Sequence, residues 1–289
     1  FVQDLARAWS LPVEVEARDV AALARQRGVS IQVAAREARY DFFRRVAEEQ
    51  GAHRIALAHH ADDQAETVLF RILRGAGTRG LAGIPYVRGR IIRPLLDVWR
   101  REILAYAHQQ RLAYRTDVSN ADLHYRRNRI RHELIPYLET HYSPRLRERL
   151  VRLAALLREE EQFLEMTALQ AYRTLAQEGE PHGSGGEEAI RRVSLPREGL
   201  AGLHPALARR VLRTALTRLR IPGNALGYTV VDRILRLVRQ GEGPLRFDAA
   251  GGLRVSVEGE ELVLSRRTDS AADCGQGFDF PVRVPGSYR

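Results

Sequence analysis

The densest group of chemically capable side chains lies in the stretch 59–67, which reads His-His-Ala-Asp-Asp-Gln-Ala-Glu-Thr. An apolar run over 55–58 precedes this stretch, and the spacing of apolar residues after it predicts a helix over 62–74. In such a helix Asp63 and Glu66 share one face. Two neighbouring carboxylates could hold a magnesium ion or an ammonium group.

Two other interpretations of this stretch stay open. In a capping box, Asp63 would be the N-cap of the helix and Glu66 would reach back to its amide. A cap needs neither the two histidines nor Asp62, so their presence favours a functional site, although a structural role suits the histidines equally well. A metal-dependent phosphohydrolase could use the same cluster, formed by His59, His60, Asp62 and Asp63.

A second group of capable residues consists of arginines around an asparagine, namely Arg126, Arg127, Arg129 and Arg131. They lead into a predicted helical stripe of apolar residues at positions 130, 134, 137 and 138. Arg129 and Arg131 fall on either side of this stripe and could contact a phosphate there. A solvated basic face has the same appearance.

A later predicted helix carries arginines that would suit an RNA backbone, namely Arg209, Arg210, Arg213, Arg218 and Arg220. A helix that is merely soluble would look similar. The composition favours RNA, because 46 basic residues outnumber 36 acidic ones and every basic residue is an arginine. An arginine guanidinium can donate two parallel hydrogen bonds to one phosphate. We therefore expect a polyanionic partner for a chain of formal net charge +10.

The residue types that are missing exclude several kinds of chemistry. Without lysine the chain can build no Walker A loop, no Schiff base and no adenylated-lysine intermediate. A single cysteine, Cys274, excludes an internal disulfide and a site built from several cysteines. No apolar run is long enough to span a membrane, so we predict a cytoplasmic protein with no membrane partner. A homodimer and a monomer are both compatible with the sequence.

The elements that would position these residues alternate as in an α/β protein. We predict helices over 19–27, 30–50, 62–74 and 97–111, with strands over 12–17 and 55–58 and near Ile91. This order indicates a parallel sheet with helices on both faces. The stretch 59–67 would then lie at the carboxyl edge of the sheet, where such proteins bind ligands.

After Pro144 the sequence predicts a smaller α+β unit. A long helix over 145–176 and a glycine-rich linker over 178–188 lead to helices over 205–219 and 228–239 and to strands over 253–257 and 262–264. We therefore predict domain boundaries that give segments 1–142, 143–190, 191–268 and 275–289.

Several motifs follow one another in a specific order. They are Arg39-Tyr40, the stretch 59–67, Arg74-Gly75-Ala76-Gly77 with Gly80-Leu81-Ala82-Gly83, Arg93-Pro94-Leu95-Leu96, and Asn128-Arg129-Ile130-Arg131-His132-Glu133-Leu134-Ile135-Pro136. Each is weak alone, but together they resemble the tRNA(Ile)-lysidine synthetases of the PP-loop ATP pyrophosphatase superfamily. The unit over 200–267 resembles the family's smaller substrate-binding domain, and the residues from Phe280 onward resemble the start of its C-terminal domain.

The resemblance implies an adenine nucleotide alpha hydrolase-like catalytic domain and a ligase that uses ATP and Mg²⁺. ATP would activate C2 of the wobble cytidine in a tRNA(Ile) with a CAU anticodon, and free L-lysine would attack through its ε-amine. Asp63 and Glu66 would hold the amino groups of lysine, and the catalytic residues would be Asp63, Arg39 and Arg131, with both arginines at the α-phosphate. Residues for tRNA would be Arg126, Arg127, Arg129, Arg209, Arg210 and Arg213, with His59, His60 and Asp62 as accessory groups.

One family motif, the phosphate loop Ser-Gly-Gly-x-Asp-Ser after the first strand, is not in this sequence. We therefore expect a chain truncated at both ends and inactive by itself, and AMP formation from ATP by the purified chain would contradict this. A paralogue without the loop that only binds RNA is the competing explanation. The phosphohydrolase alternative predicts a tightly bound metal, whereas a PP-loop thiolase typically relies on catalytic cysteines and is disfavoured.

Overall fold

The computed structural model describes residues 1–116, 122–179, 190–222, 227–240 and 245–266. The chain divides into two compact units, Phe1–Glu161 and Gln162–Arg289, and each has a hydrophobic core of its own. Most of the predicted linker, the predicted segment 275–289 and Cys274 lie outside the described residues. Among the helices that the structure describes, none has both the length and the apolar character needed to cross a membrane.

The first unit is mainly helical. Its helices are α1 (Val2–Ala8), α2 (Val20–Arg27), α3 (Ile31–Glu49), α4 (Ala61–Leu73), α5 (Thr78–Leu81), α6 (Arg100–Gln109), α7 (Arg126–Arg129) and α8 (Ile135–His141). The caps explain where two of them begin: the Asp19 carboxylate accepts from the Ala22 amide at 2.9 Å, and the Ser30 hydroxyl accepts from the Val33 amide at 3.3 Å. The predicted starts of α2 and α3 are thus confirmed.

A small sheet contains three strands in the order β1 (Ile55–Ala56), β3 (Ile91–Ile92) and β2 (Val87–Arg88). β1 pairs with β3 in parallel, which confirms the predicted parallel arrangement, whereas the antiparallel strand β2 was not predicted. The strand predicted over 12–17 is wrong. Val13 and Val15 are 40% and 63% exposed in an irregular segment, because alternating apolar residues form a strand only where a neighbour receives their hydrogen bonds.

The helix that carries the arginine motif is interrupted by a π-helical segment, Ile130–Leu134, between α7 and α8. Pro136 near the start of α8 has no amide hydrogen, and in a regular helix its ring would collide with the carbonyl four residues earlier. We attribute the widened turn to this proline. The predicted apolar stripe packs only in part, since Ile130 is buried and Tyr137 is 53% exposed.

The boundary between the units falls within a long helix, α9 (Leu146–Leu175), which confirms the helix predicted over 145–176. The second unit contains β4 (Gln177–Glu178), β5 (Arg192–Pro196), α10 (Arg197–Gly202), α11 (Pro205–Arg218), α12 (Tyr228–Gln240), β6 (Arg246–Ala249), β7 (Leu253–Glu258) and β8 (Glu261–Arg266). Its antiparallel sheet has the order β4-β5-β8-β7-β6. Helices α11 and α12 and the β7–β8 hairpin were predicted, whereas α10, β4, β5 and β6 were not.

Candidate active site

The stretch 59–67 joins β1 to α4, so the strand and the helix together position its side chains. His60 is the N-cap of α4, and its amide donates to the Asp63 carboxylate at 3.0 Å. Asp63 therefore stands three residues inside the cap, and the capping alternative that made it the N-cap is wrong in register. Its negative charge in the first turn also suits the positive end of the helix dipole.

Asp63 and Glu66 meet two arginines that lie far along the chain. Both Glu66 oxygens accept from Arg131, with its Nε 2.5 Å from Oε1 and its Nη2 3.1 Å from Oε2. Arg127 donates from Nη2 to Asp63 at 2.8 Å and from Nε to Glu66 at 3.1 Å. We call these four residues the carboxylate–arginine cluster.

The members of the cluster differ in their access to solvent. Glu66 is 2% exposed, so losing its partners would leave a buried charge uncompensated. The Arg131 side chain is 22% exposed, whereas that of Arg127 is 48% exposed. Burial acts to lower the pKa of Arg131, but hydrogen bonding to Glu66 and the charge of Asp63 outweigh it and raise that pKa. Arg127 is thus the member that can leave the cluster most easily.

Asp62 points to other partners and has a structural part in the site. Its carboxylate accepts from the Arg100 amide at 2.9 Å, at the first residue of α6, and lies 3.6 Å from the Arg147 guanidinium. The beginnings of α4 and α6 are therefore joined through one side chain. The accessory role that the sequence indicated for Asp62 stays a prediction.

The two histidines flank the cluster without entering it. The His60 ring lies 3.6 Å from both Asp62 and Asp63, beyond hydrogen-bonding distance. Burial lowers the pKa of His59, and the nearby arginines lower it further against the opposing charge of Asp63. His59 is consequently a neutral imidazole at neutral pH.

A metal site requires several ligands around one point. Within the described ranges, no three side chains of the types His, Cys, Asp and Glu are placed to hold a metal ion. The phosphohydrolase alternative needs His59, His60, Asp62 and Asp63 around one ion. The described residues do not arrange these four side chains in that way.

Two residues of α4 that were not predicted from the sequence, Gln64 and Arg71, bind the loop that follows this helix. The side-chain amide of the buried Gln64 accepts a hydrogen bond from the backbone N–H of Ile84 at 2.6 Å and donates one to the backbone carbonyl of Ile84 at 3.1 Å. Arg71 donates to the carbonyls of Gly80 and Gly83 at 2.6 and 2.8 Å. These bonds fasten the glycine-rich loop to α4. A glutamine on the core face of a helix was the signal in the sequence.

The remaining predicted residues of the first unit lie apart from the cluster. Arg39 is exposed on α3, and no hydrogen bond or ion pair joins it to the cluster among the residues described. Arg126 and Arg129 are also exposed, and Arg129 pairs with Glu133 at 3.2 Å. The structure therefore brings together Asp63, Glu66, Arg127 and Arg131 but neither Arg39 nor Arg126.

In the second unit, the predicted RNA-binding residues Arg209 and Arg210 of α11 have partners within the protein. Arg209 lies 3.4 Å from Asp232, and its guanidinium stands over the Tyr228 ring at 5.5 Å. Arg210 donates to the Ala206 carbonyl at 3.3 Å, and Arg213 is half-buried. Their contact with RNA stays a prediction.

Comparison with protein families relates both units to known domains. A model described as a PP-loop domain, from a family of ATP-binding domains, matches residues 1–138. A second model, described as a TilS substrate binding domain, matches residues 195–262. The first match contains the carboxylate–arginine cluster, and the second contains α11, α12 and most of the antiparallel sheet.

Three curated relatives share one name. A tRNA(Ile)-lysidine synthase of Geobacter sulfurreducens is 38% identical over 97% of this chain and 56% of its own length. The tRNA(Ile)-lysidine synthase of Symbiobacterium thermophilum is 38% identical over 99% of this chain and 60% of its own. That of Bacillus subtilis is 43% identical over 57% of the chain and 36% of its own. The chain thus spans little more than half the length of the first two relatives, and it belongs to the tRNA(Ile)-lysidine synthase family.

Proposed function

We propose that the protein is a tRNA-modifying ligase that joins lysine to the wobble cytidine of a CAU-anticodon tRNA(Ile) with consumption of ATP. The combination of a PP-loop domain with a TilS substrate binding domain supports this class of reaction. The single observation that carries the proposal is the pair of carboxylates, Asp63 and Glu66, which bind cationic groups near the start of α4. A cytoplasmic location is part of the proposal.

The proposed reaction has two balanced steps. The oxygen at C2 of the cytidine attacks the α-phosphorus of ATP, and pyrophosphate leaves. The ε-amine of lysine then attacks C2 and loses a proton, and AMP departs with the former cytidine oxygen. Mg²⁺ would accompany the ATP phosphates, and since the described residues gather no metal ligands we assign none of them to it.

The cluster would recognise lysine by exchanging one cation for another. Asp63 and Glu66 already bind two guanidinium groups, so their charge and hydrogen-bonding capacity suit an ammonium group as well. Arg127 is the more exposed arginine and would be displaced. Its guanidinium would then be available to the phosphate on which negative charge develops.

Substitution of Glu66 tests this assignment. In the full-length protein, Glu66→Gln keeps the shape of the side chain and removes its charge, and we expect the KM for lysine to rise about tenfold or more. Lysine transfer to a tRNA transcript is measured while the lysine concentration is varied. The matched control is Glu37→Gln, which removes an exposed carboxylate paired with Arg27. An unchanged KM in a folded Glu66→Gln protein would place the lysine elsewhere.

A further inference from the structure

A groove of about 570 Å³ opens on the first unit between the end of α4 and the segment formed by α7, the π turn and α8. Phe70, Leu73 and Tyr137 contribute to its apolar surface, and Arg74, Arg126 and Arg129 contribute charge. The cluster and the groove share α7, because Arg127 faces Asp63 whereas its neighbour Arg126 lines the groove. A ligand in the groove would therefore lie along the same short helix as the candidate active site.

The charge around the groove favours an anion. Three arginines line it against one carboxylate, Glu133. Glu133 pairs with Arg129 at 3.2 Å, and both side chains are about half exposed or more, so water screens this pair and a phosphate could displace it. Arg74 lies over the Phe70 ring at 5.3 Å, which leaves its guanidinium edge available for hydrogen bonds.

The Tyr137 ring lines the groove and lies next to two further aromatic rings, which favours a flat, stacking ligand. Tyr137 is 53% exposed, and its ring centroid lies 4.6 Å from that of His141. Tyr142, 72% exposed, lies 6.0 Å from Tyr137. Exposed aromatic rings interleaved with arginines are how proteins bind single-stranded nucleic acid, with bases on the rings and phosphates on the guanidinium groups. An apolar helix or a lipid chain would match the apolar surface but would not use the arginines.

We propose that this groove binds an unpaired nucleobase of the substrate RNA, with the adjoining phosphates on Arg126 and Arg129. The choice of RNA as the source of the base rests on the proposed function, while the groove itself rests on its charge and its aromatic surface. A single strand held there would run along α7, past Arg127 and toward Asp63. The groove would thus position the anticodon loop beside the site of lysine transfer.

Binding of RNA to the 289-residue chain tests the groove without any catalysis. The probe is a short fluorescein-labelled single-stranded oligouridylate, titrated with protein and followed by fluorescence anisotropy. We expect Tyr137→Ala to weaken binding about tenfold and Tyr137→Phe, which keeps the ring, to preserve it. Tyr106→Ala on α6 removes another exposed tyrosine and is the matched control.

Reversing the charge of the arginines that line the groove is the second test of the proposal. We expect Arg126→Glu with Arg129→Glu to weaken binding about tenfold or more and to lower the salt dependence by about one unit of slope for each lost phosphate contact. Arg25→Glu on α2 is the control for charge alone. If the groove variants bind like their controls, or if Tyr137→Ala affects duplex RNA as strongly as single strands, the groove is not a base-binding site.

Failure of this proposal can be separated from failure of the proposed function. If wild-type chain binds the oligouridylate through the groove but the full-length protein transfers no lysine, the ligase proposal is contradicted and the groove stands. If the full-length protein transfers lysine and its groove variants keep the wild-type KM for tRNA, the groove proposal alone is contradicted.

Discussion

Glu66 is almost completely buried, and its carboxylate accepts hydrogen bonds from two cationic side chains, Arg131 and Arg127. A buried ion pair adds little to stability once the cost of removing both charges from water is counted. An apolar residue would pack there at lower cost, so the arrangement is better explained by binding than by folding. Under the proposed function, the arginines neutralise the two carboxylates until the ammonium group of lysine displaces Arg127.

Removal of Arg127 should separate binding from chemistry. In Arg127→Ala the carboxylates lose one competing cation, so the KM for lysine should fall severalfold. The kcat for lysine transfer should fall about tenfold or more, because a cation near the reacting phosphate is lost. Steady-state kinetics of the full-length protein measure both. A higher KM with unchanged kcat would instead mean that Arg127 itself helps to bind lysine.

His59 should make the first unit sensitive to mild acid. Its pKa is lowered below the ordinary value of 6.5 in the folded protein, chiefly by burial, so the unfolded chain takes up the proton first as the pH falls. This contribution to stability is complete above about pH 6.5 and is lost as the pH falls through the lowered folded pKa. As the pH is lowered from neutral to mildly acidic, the melting temperature of His59→Gln should therefore fall less than that of the wild type.

The control for this experiment is His53→Gln, because His53 is exposed before β1. The melting temperature of His53→Gln should change with pH in the same way as that of the wild type. If His59→Gln and wild type lose stability equally, then His59 does not contribute to the acid sensitivity.

Single residues could be predicted from the sequence only where their partners are close in the chain. The shared face of Asp63 and Glu66 follows from helical spacing and was predicted. Their arginine partners lie more than sixty residues away, and Arg127 was predicted to bind tRNA rather than Glu66. Local periodicity contains no information about which distant side chain completes a charge pair.

At the scale of elements, hydrogen bonds from Gln64 and Arg71 hold the glycine-rich loop to α4. Gly83 has a φ of 72°, and a Cβ there would collide with the Gln64 amide. We expect Gly83→Ala to lower the free energy of unfolding by roughly 2 kcal/mol or more, since it combines backbone strain with loss of the buried amide bonds. Urea denaturation followed by circular dichroism measures the change.

Gly89, between β2 and β3, offers a matched control. Its φ is 59°, but a Cβ there would meet no atom within 4 Å. Gly89→Ala should therefore show only the cost of the left-handed backbone, about 1 kcal/mol. Equal losses in the two variants would mean that the contact between Gly83 and Gln64 is unimportant.

Helices were predicted more accurately than strands. Asp19 and Ser30 mark where α2 and α3 begin, because capping is a local interaction. β2 is only two residues long and depends on antiparallel pairing with β3, which no local pattern reveals. The π segment likewise needed the structure, since Pro136 predicts a break in the helix but not its form.

At the scale of the whole molecule, the two units divide the proposed work. The first contains the match to the PP-loop domain and the carboxylate–arginine cluster, and the second contains the match to the TilS substrate binding domain. An excess of arginine over acidic residues suits a large polyanionic substrate better than a small molecule alone. Composition predicted this partner, whereas the order of motifs predicted the family.

The central claim is that the protein attaches lysine to a wobble cytidine. Its most direct test incubates the full-length protein with ATP, Mg²⁺, isotopically labelled lysine and a tRNA(Ile) transcript with a CAU anticodon, followed by nuclease digestion and mass spectrometry of the nucleosides. We predict labelled lysine on the wobble cytidine, dependent on ATP and missing from a transcript with uridine at that position. Tight binding of the transcript without any labelled nucleoside would contradict the claim and favour a protein that only binds RNA.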